Sequence, residues 1–387
     1  MNTNRRSFLM ASGLTALAAT RAFGANDRVR AGLIGCGARS QRLLHAADEA
    51  GGYELVVACD VYQPRRDAAE GTHGADFVTC LDYRDVLAKN DIDAVIIAAP
   101  DHWHVKMACD AIAAGKDVYV EKPVTHTMDQ GETLTRAVRG SKRVLQCGMQ
   151  QRSWVHFQSA VELIQSGNIG RITQVRTYWF QTYHARAKTK PIEVDKLDWK
   201  QWLGSAPDQP YAQDKYWLWR WYWDFGGGAM TDLFAHWIDV VHWAMKSPEP
   251  QVVQGMGDRY VFDWECPDTV QVALRYPGFE VGYEGTMVSS IDDGGLEFRG
   301  TNGTLKINRA GFAIYREGVK DNPILSERSA LDGTISHMAN FFDCVRDRKE
   351  PNAPVETGVA AARAAHIANM ALRSGNRVTW PPAGKSA

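Results

Sequence analysis

Residues 29–34 are a short apolar run that ends in Gly35-Cys36-Gly37-Ala38-Arg39-Ser40 and passes into a helical pattern over residues 41–50. Strand, glycine turn and helix in that order constrain the chain more than any other feature. Gly35 permits the tight turn and Gly37 lets a backbone approach a pyrophosphate. The helix start, with Cys36, Ala38 and Arg39 beside it, offers free N–H groups and a partial positive charge. Ser40 stands where a third small residue is expected, and departs from Gly or Ala. The next apolar run, 55–59, closes at Asp60, about 20 residues on, where a carboxylate can accept hydrogen bonds from ribose hydroxyls. An acid there repels a 2′-phosphate, so NAD is the expected cofactor. NADP stays open through Arg65 and Arg66, which otherwise read as solvent-facing residues of a helix starting near Pro64.

A third run, 94–99, leads into Pro100-Asp101-His102-Trp103-His104. Loops at the C-terminal edges of such strands bind ligands, which places Pro100 and His104 along the cofactor. His102 and His104 are two apart, a spacing that does not put both on one helical face for a metal. Residues 115–123 then read Gly-Lys-Asp-Val-Tyr-Val-Glu-Lys-Pro, an unusual charged ending for a buried strand.

Glycine turn, acid, loop and Glu121-Lys122-Pro123, in this order and spacing, closely resemble the Gfo/Idh/MocA oxidoreductase family. The resemblance extends over about residues 28–382 and includes 198–204 and 299–305. It implies a nucleotide domain, residues 26–150, with a doubly wound parallel Rossmann sheet. An α+β substrate domain, residues 151–382, would follow, with an open, mainly antiparallel sheet. It also implies that Lys122 lies near the nicotinamide and the reacting carbon, with Glu121 at the cofactor, and that residues 146–152, including Arg152, form the passage between domains.

The densest chemistry lies in residues 217–236, where an aromatic run ends in Gly226-Gly227-Gly228 and a helix is expected over about 230–245. Asp232 and His236 are four apart, hence neighbours on one helical face. A carboxylate so placed would hold the imidazole in one tautomer, as a general acid–base histidine needs. The pair resembles the family's Asp-x-x-x-His element, whose histidine serves that role. Asp239 and His242 continue the helix, and the expected chemistry needs no metal. Eight of the 13 tryptophans fall between residues 199 and 243. On an extended segment Trp217, Trp219, Trp221 and Trp223 would point the same way. Tryptophan faces suit the C–H faces of sugars or, equally, a core or subunit interface. Arg152, Tyr183, Arg220 and Trp221 are the expected substrate contacts, with His184 and Asp224 as further hydroxyl partners.

Upstream, Arg5-Arg6 followed by Phe8-Leu9 and an uncharged apolar run over 10–19 resembles a twin-arginine (Tat) export signal, and Ala22-Phe23-Gly24-Ala25 suits a signal peptidase. The run is shorter than the roughly 20 residues of a membrane span. Residues 1–25 are therefore expected to be removed, and the protein to work in the periplasm or outside the cell with its nucleotide already bound. Without Arg5, Arg6 and Arg21 the formal net charge moves from −1 to −4. That balance gives no basic face for nucleic acid. The seven cysteines form no Cys-x-x-Cys and read as small buried apolar residues.

The expected activity is hydride transfer between a sugar, polyol or glycoside hydroxyl carbon and bound NAD, with His236 as proton acceptor, Lys122 stabilising the alkoxide and Asp232 orienting the histidine. Two alternatives remain: a redox-neutral NAD-dependent glycoside hydrolase, which export favours, and a sugar-binding protein with a structural nucleotide. Glycosidase relatives carry a different glycine-and-histidine segment after the aromatic region, whereas Asp232 and His236 follow the oxidoreductase pattern. The open sheet and abundant aromatics also lead to an expected homo-oligomer.

Overall fold

The computed structural model describes residues 27–74 and 77–381, so the expected export segment lies outside them. The first half is a six-stranded sheet of β1 (Val29–Ile34), β2 (Tyr53–Cys59), β3 (Val78–Cys80), β4 (Ala94–Ile97), β5 (Asp117–Val120) and β6 (Leu145–Cys147). Every pairing is parallel and the order is β3-β2-β1-β4-β5-β6. β4 and β5 are buried along their whole length, as expected of strands covered on both faces. The order reverses between β1 and β4, which opens the crevice where such sheets bind ligands.

The second sheet contains β7 (Ile172–Phe180), β8 (Val252–Asp258), β9 (Thr269–Tyr276), β10 (Phe279–Thr286), β11 (Gly294–Gly300), β12 (Gly303–Asn308), β13 (Gly311–Arg316), β14 (Leu325–Arg328) and β15 (Val378–Thr379). Its order is β14-β13-β12-β11-β7-β10-β9-β8-β15, antiparallel except where β7 meets β10. In β9, Val270, Val272, Leu274 and Tyr276 are buried while the residues between them are exposed or half-exposed. This period-two alternation marks a sheet with one solvated face. The helices Val155–Gln165, Ala235–Met245 and Val355–Ser374 pack together on the buried side.

The two late helices join the halves. Phe342 of the helix Gly333–Asp347 stacks on Tyr53 of β2 with centroids 4.9 Å apart, and Phe341 meets Tyr119 of β5 edge-on at 5.8 Å. Their burial with Leu33, Leu43, Ala58 and Ile96 gives one face of the first sheet its core. The helix Val355–Ser374 runs so close to β6 that a Cβ on Gly358 would lie 2.5 Å from the Cys147 sulfur. His337 rests Nε2 on the Cys147 carbonyl at 2.9 Å, and His366 rests Nε2 on the Thr125 carbonyl at 3.1 Å. All seven cysteines are free thiols, five of them buried and Cys80 and Cys109 partly so.

Candidate functional site

The nucleotide end of the crevice is shaped by backbone. Gly35 has φ +91°, and a Cβ there would meet the Ala98 carbonyl oxygen at 2.8 Å, so the turn admits little but glycine. At Gly37 a Cβ would meet nothing nearer than Arg65, at 3.8 Å, which leaves open space over the start of the helix Ala38–Ala50. Asp60 accepts from the Cys36 amide at 2.8 Å and the Tyr62 amide at 2.9 Å, which holds its carboxylate at the strand end. Each oxygen keeps a lone pair for a further donor. Gly35, Gly37, Ala38, Arg39, Asp60 and Pro100 all line a cavity of about 220 Å³ here. Open glycine backbone, a helix N-terminus and a pinned carboxylate fit a dinucleotide's pyrophosphate and ribose.

Arg65 and Arg66 do not face solvent as expected. Arg65 places its guanidinium 5.2 Å over the Tyr216 ring and 3.6 Å from Asp60 Oδ2, while Arg66 donates to the Asp60 carbonyl at 2.6 Å. Tyr216 comes from the second half of the chain, and its face draws the cation inward. His102 and His104 are held by backbone: His102 Nε2 lies 3.1 Å from the Trp202 carbonyl, and His104 lies 2.6 Å from the Pro123 carbonyl and 2.9 Å from that of Ala99.

Beyond β5 the site turns ionic. Buried Glu121 pairs with Arg39 at 2.7 Å; burial opposes its charge, but Arg39 and Lys122 outweigh that and lower its pKa. Lys122 Nζ donates to the Asp232 carbonyl at 2.6 Å and to Asp232 Oδ1 at 2.7 Å, and Arg220 Nε reaches the same oxygen at 3.1 Å. Burial would raise the Asp232 pKa, yet Lys122 and Arg220 together bring it down to about 2. Asp232 thus stays a carboxylate shared by two cations.

The expected Asp232–His236 contact is absent. Residues Met230–Phe234 form a π-helical turn before the α-helix Ala235–Met245 begins, and a π turn changes which side chains share a face. Asp232 turns to Lys122 and Arg220, and the buried Nδ1 of His236 has no hydrogen-bond partner. His236 itself lines the large cavity. Trp179 covers the imidazole at 6.0 Å and 21°, and burial, helped by Lys122, Arg309 and Arg39, pushes its pKa well below 6.5. At neutral pH His236 is therefore an uncharged base.

These groups face a second cavity of about 1230 Å³, also lined by Asp101, Gln150, Trp179, Tyr183, Arg220, Trp221 and Arg309. Trp221 is fully buried and stacked on Trp264 at 4.5 Å, so it backs the wall from the core. The tryptophans do not project together: the helix Gln213–Trp217 and the 3-10 turn Trp219–Trp221 replace an extended segment, and Trp223 turns to Arg373. Arg152 is not brought to the cavity. It makes three contacts of 2.8–3.0 Å to buried Asp239 and lies 5.3 Å over Trp243. His184 packs on Phe262 and Asp224 accepts from Gln209, both away from the lining. Asp101, outside the expected set, is buried beside Lys122 and Arg220, and burial raises its pKa well above the usual range despite both cations. Its place in the 100–104 loop was the available signal. Trp179 and Arg309 carried none.

A glycine turn on a parallel sheet, an acid at the next strand and a basic residue after β5 define an NAD-binding Rossmann-fold protein of the oxidoreductase class. Residues 29–149 match the GFO_IDH_MocA model, described as an oxidoreductase family with an NAD-binding Rossmann fold. Residues 201–306 match the GFO/IDH/MocA C-terminal domain. Together the two cover more than half of the chain, which belongs to the Gfo/Idh/MocA family. An inositol 2-dehydrogenase of Salmonella typhimurium is 29% identical over 181 residues, 44% of this chain and 54% of that protein. A glycosyl hydrolase family 109 protein of Shewanella sp. strain ANA-3 is 33% identical over 159 residues, 33% of this chain and 35% of that protein. The chain thus spans about half or less of the length of these relatives. Among solved structures, a levoglucosan dehydrogenase with NADH and levoglucosan superposes with a TM-score of 0.73 at 20% identity, covering 92% of this chain and 100% of that one. The WlbA dehydrogenase of Bordetella pertussis, with NADH and UDP-GlcNAcA, gives 0.70 at 23% identity, covering 92% and 99%. These two likenesses concern the fold.

Proposed function

We propose that this protein oxidises, or in reverse reduces, a hydroxyl-bearing carbon of a sugar or polyol with NAD, residues 26–150 holding the nucleotide and 151–382 shaping the substrate site. The observation that carries this reading is the convergence of Lys122 and an uncharged His236 on one cavity from opposite halves of the molecule. NAD, when bound, supplies the hydride acceptor. Gly35, Gly37, Ala38 and Arg39 would surround its pyrophosphate, Asp60 its ribose, and Pro100, His104 and Glu121 would frame its nicotinamide end, while Cys36, expected at the cofactor, instead spends its amide on Asp60 and lines neither cavity. His236 takes the hydroxyl proton. Lys122 Nζ stands beside the oxygen and stabilises its developing negative charge. Asp232 holds the Lys122 ammonium and the Arg220 guanidinium in place rather than orienting the histidine, while Tyr183, Arg220 and Trp221 shape the sugar site. The direct test is to release and identify the nucleotide of natively purified protein, then follow nucleotide absorbance with a panel of sugars and polyols. Absence of bound or bindable NAD would overturn the reading.

A second reading, redox-neutral glycoside hydrolysis, is favoured by the 33% identical match to the family 109 glycosyl hydrolase. It requires release of an aglycone with no net change in nucleotide absorbance, so the same assay on glycosides separates the two. We also propose export through Arg5-Arg6, with function outside the cytoplasm, and self-association through the open sheet. Replacing both arginines with lysine is expected to retain the protein in the cytoplasm, because the export receptor reads the guanidinium pair and not charge alone. Cell fractionation showing the double-lysine protein exported at the wild-type level would refute the route.

A further inference from the structure

Several charged groups of the large cavity are paired within the fold: Arg39 with Glu121, and Lys122 and Arg220 with the one carboxylate of Asp232. Arg309 is not. It stands in the turn between β12 and β13; Asp332 and Asp232 act on it only from a distance, and among the described residues no carboxylate forms an ion pair with it. Its guanidinium lies 4.9 Å over Trp179 and 6.0 Å from the Trp237 ring, and its buried Nε has no hydrogen-bond partner. Arg39, which lines the same cavity, is held by Glu121 instead. Burial and the nearby Arg39 guanidinium push the Arg309 pKa down to about 10, so it remains a cation at neutral pH, but at a cost. A buried charge with unmade hydrogen bonds is unfavourable unless a ligand supplies the counter-charge.

The neighbours of this guanidinium point to what the ligand is. Trp179 covers both Arg309 and the His236 imidazole, so the free cation and the proposed base share one wall. Arg42, Arg186 and Lys188 add positive charge around the same opening. A planar guanidinium placed over an indole presents a fork that matches a carboxylate.

Building on the oxidoreductase reading above, we propose that the substrate is an acidic sugar whose carboxylate pairs with Arg309. The sugar ring lies toward Trp179 with its reacting hydroxyl at His236 and Lys122. The carboxylate remains unchanged through the reaction and serves to orient the ring.

The test uses the mature enzyme loaded with NADH for binding and with NAD for turnover. D-Glucuronate, D-galacturonate and D-gluconate are compared with D-glucose, D-galactose, sorbitol and glucose 6-phosphate. At least one acid is expected to bind by calorimetry roughly 30-fold or more tightly than its neutral counterpart, the scale of losing one partner of a buried charge pair. Arg309→Gln should remove most of that preference, chiefly through KM, and Arg309→Lys should restore part of it, with NAD affinity unchanged in both. Equal binding of acids and neutral sugars, or a preference for the phosphate, would overturn the proposal while leaving the oxidoreductase reading intact. A large loss of NAD affinity in Arg309→Gln would also overturn it, by assigning the guanidinium to the cofactor. Arg309-dependent binding of an acid without turnover would support the acidic ligand and count against the oxidoreductase reading.

Discussion

The cavity beside Asp60 takes most of its wall from residues 34–107, in loops at one edge of a single sheet, whereas the cavity beside His236 draws on residues from 38 to 310 and on both halves. The first is built mainly from backbone: a glycine that admits no Cβ, a helix start and a carboxylate fixed by two amides. The second is built from side-chain charges that settle one another across long stretches of chain, as Lys122 and Asp232 do over 110 residues. The contrast teaches that nucleotide binding rests on local geometry, while the chemistry rests on how the halves dock.

Acid should test that docking most severely. Burial holds the pKa of His102 and His242 down to about 3, and that of His337 and His366 down to about 4. Below about 6.5 the unfolded chain binds protons that the folded chain refuses. The folded state's advantage is therefore complete above that pH and shrinks as pH falls toward 4, by about 1.4 kcal/mol per pH unit for each histidine. Because His337 and His366 lie at the seam, both halves are expected to unfold together. Urea midpoints that stay flat between pH 6.5 and 4.5, or two separated transitions, would show that the seam does not couple the halves.

Next in size are the changes confined to the second cavity. Lys122→Ala and His236→Ala should each lower turnover by roughly 10²-fold or more, the usual scale for a positioned acid–base group, with nucleotide content nearly unchanged. The double variant should lose less than the sum, as expected of groups acting on one oxygen. Near-wild-type single-turnover reduction of NAD by His236→Ala with a verified substrate would remove His236 as the base and turn attention to Lys122 and Asp101.

The converse change is Gly35→Ala, which places a methyl against the Ala98 carbonyl and should weaken NAD binding by about tenfold or more, since a left-handed backbone alone costs an L-residue roughly 1–2 kcal/mol. Turnover of whatever enzyme remains loaded should be little changed, as equilibrium dialysis combined with single-turnover kinetics would show. The smallest effect is expected from Asp60→Ala, which should narrow the preference for NAD over NADP by a few-fold, as Arg65 and Arg66 already stand beside it. A wild type that prefers NADP in direct titration would reassign both arginines to the 2′-phosphate.

The parts of the site visible in the sequence are those governed by short-range rules. Gly35 and Gly37 after an apolar run, Asp60 at the next strand end and Lys122 after β5 are all set by positions a few residues away. Asp232 and His236 do not pair because a π turn intervenes where α-helical spacing predicts a shared face. The tryptophan stripe failed because Trp217 and Trp221 lie on short helical turns and not on a strand. Arg152 stays out of the cavity because it is captured by Asp239, a carboxylate 87 residues away that no local pattern reveals.

By itself, the sequence determined the parallel sheet, its glycine turn, the acid beside it and the basic residue that ends β5, because strand periodicity, glycine's freedom and helix ends are local properties. Tertiary structure alone decided that Asp232 serves Lys122 and Arg220, that His236 is uncharged, and that Arg309 stands unpaired over Trp179. Charge state and pairing depend on burial and on neighbours distant in sequence. Only the docked halves bring those together.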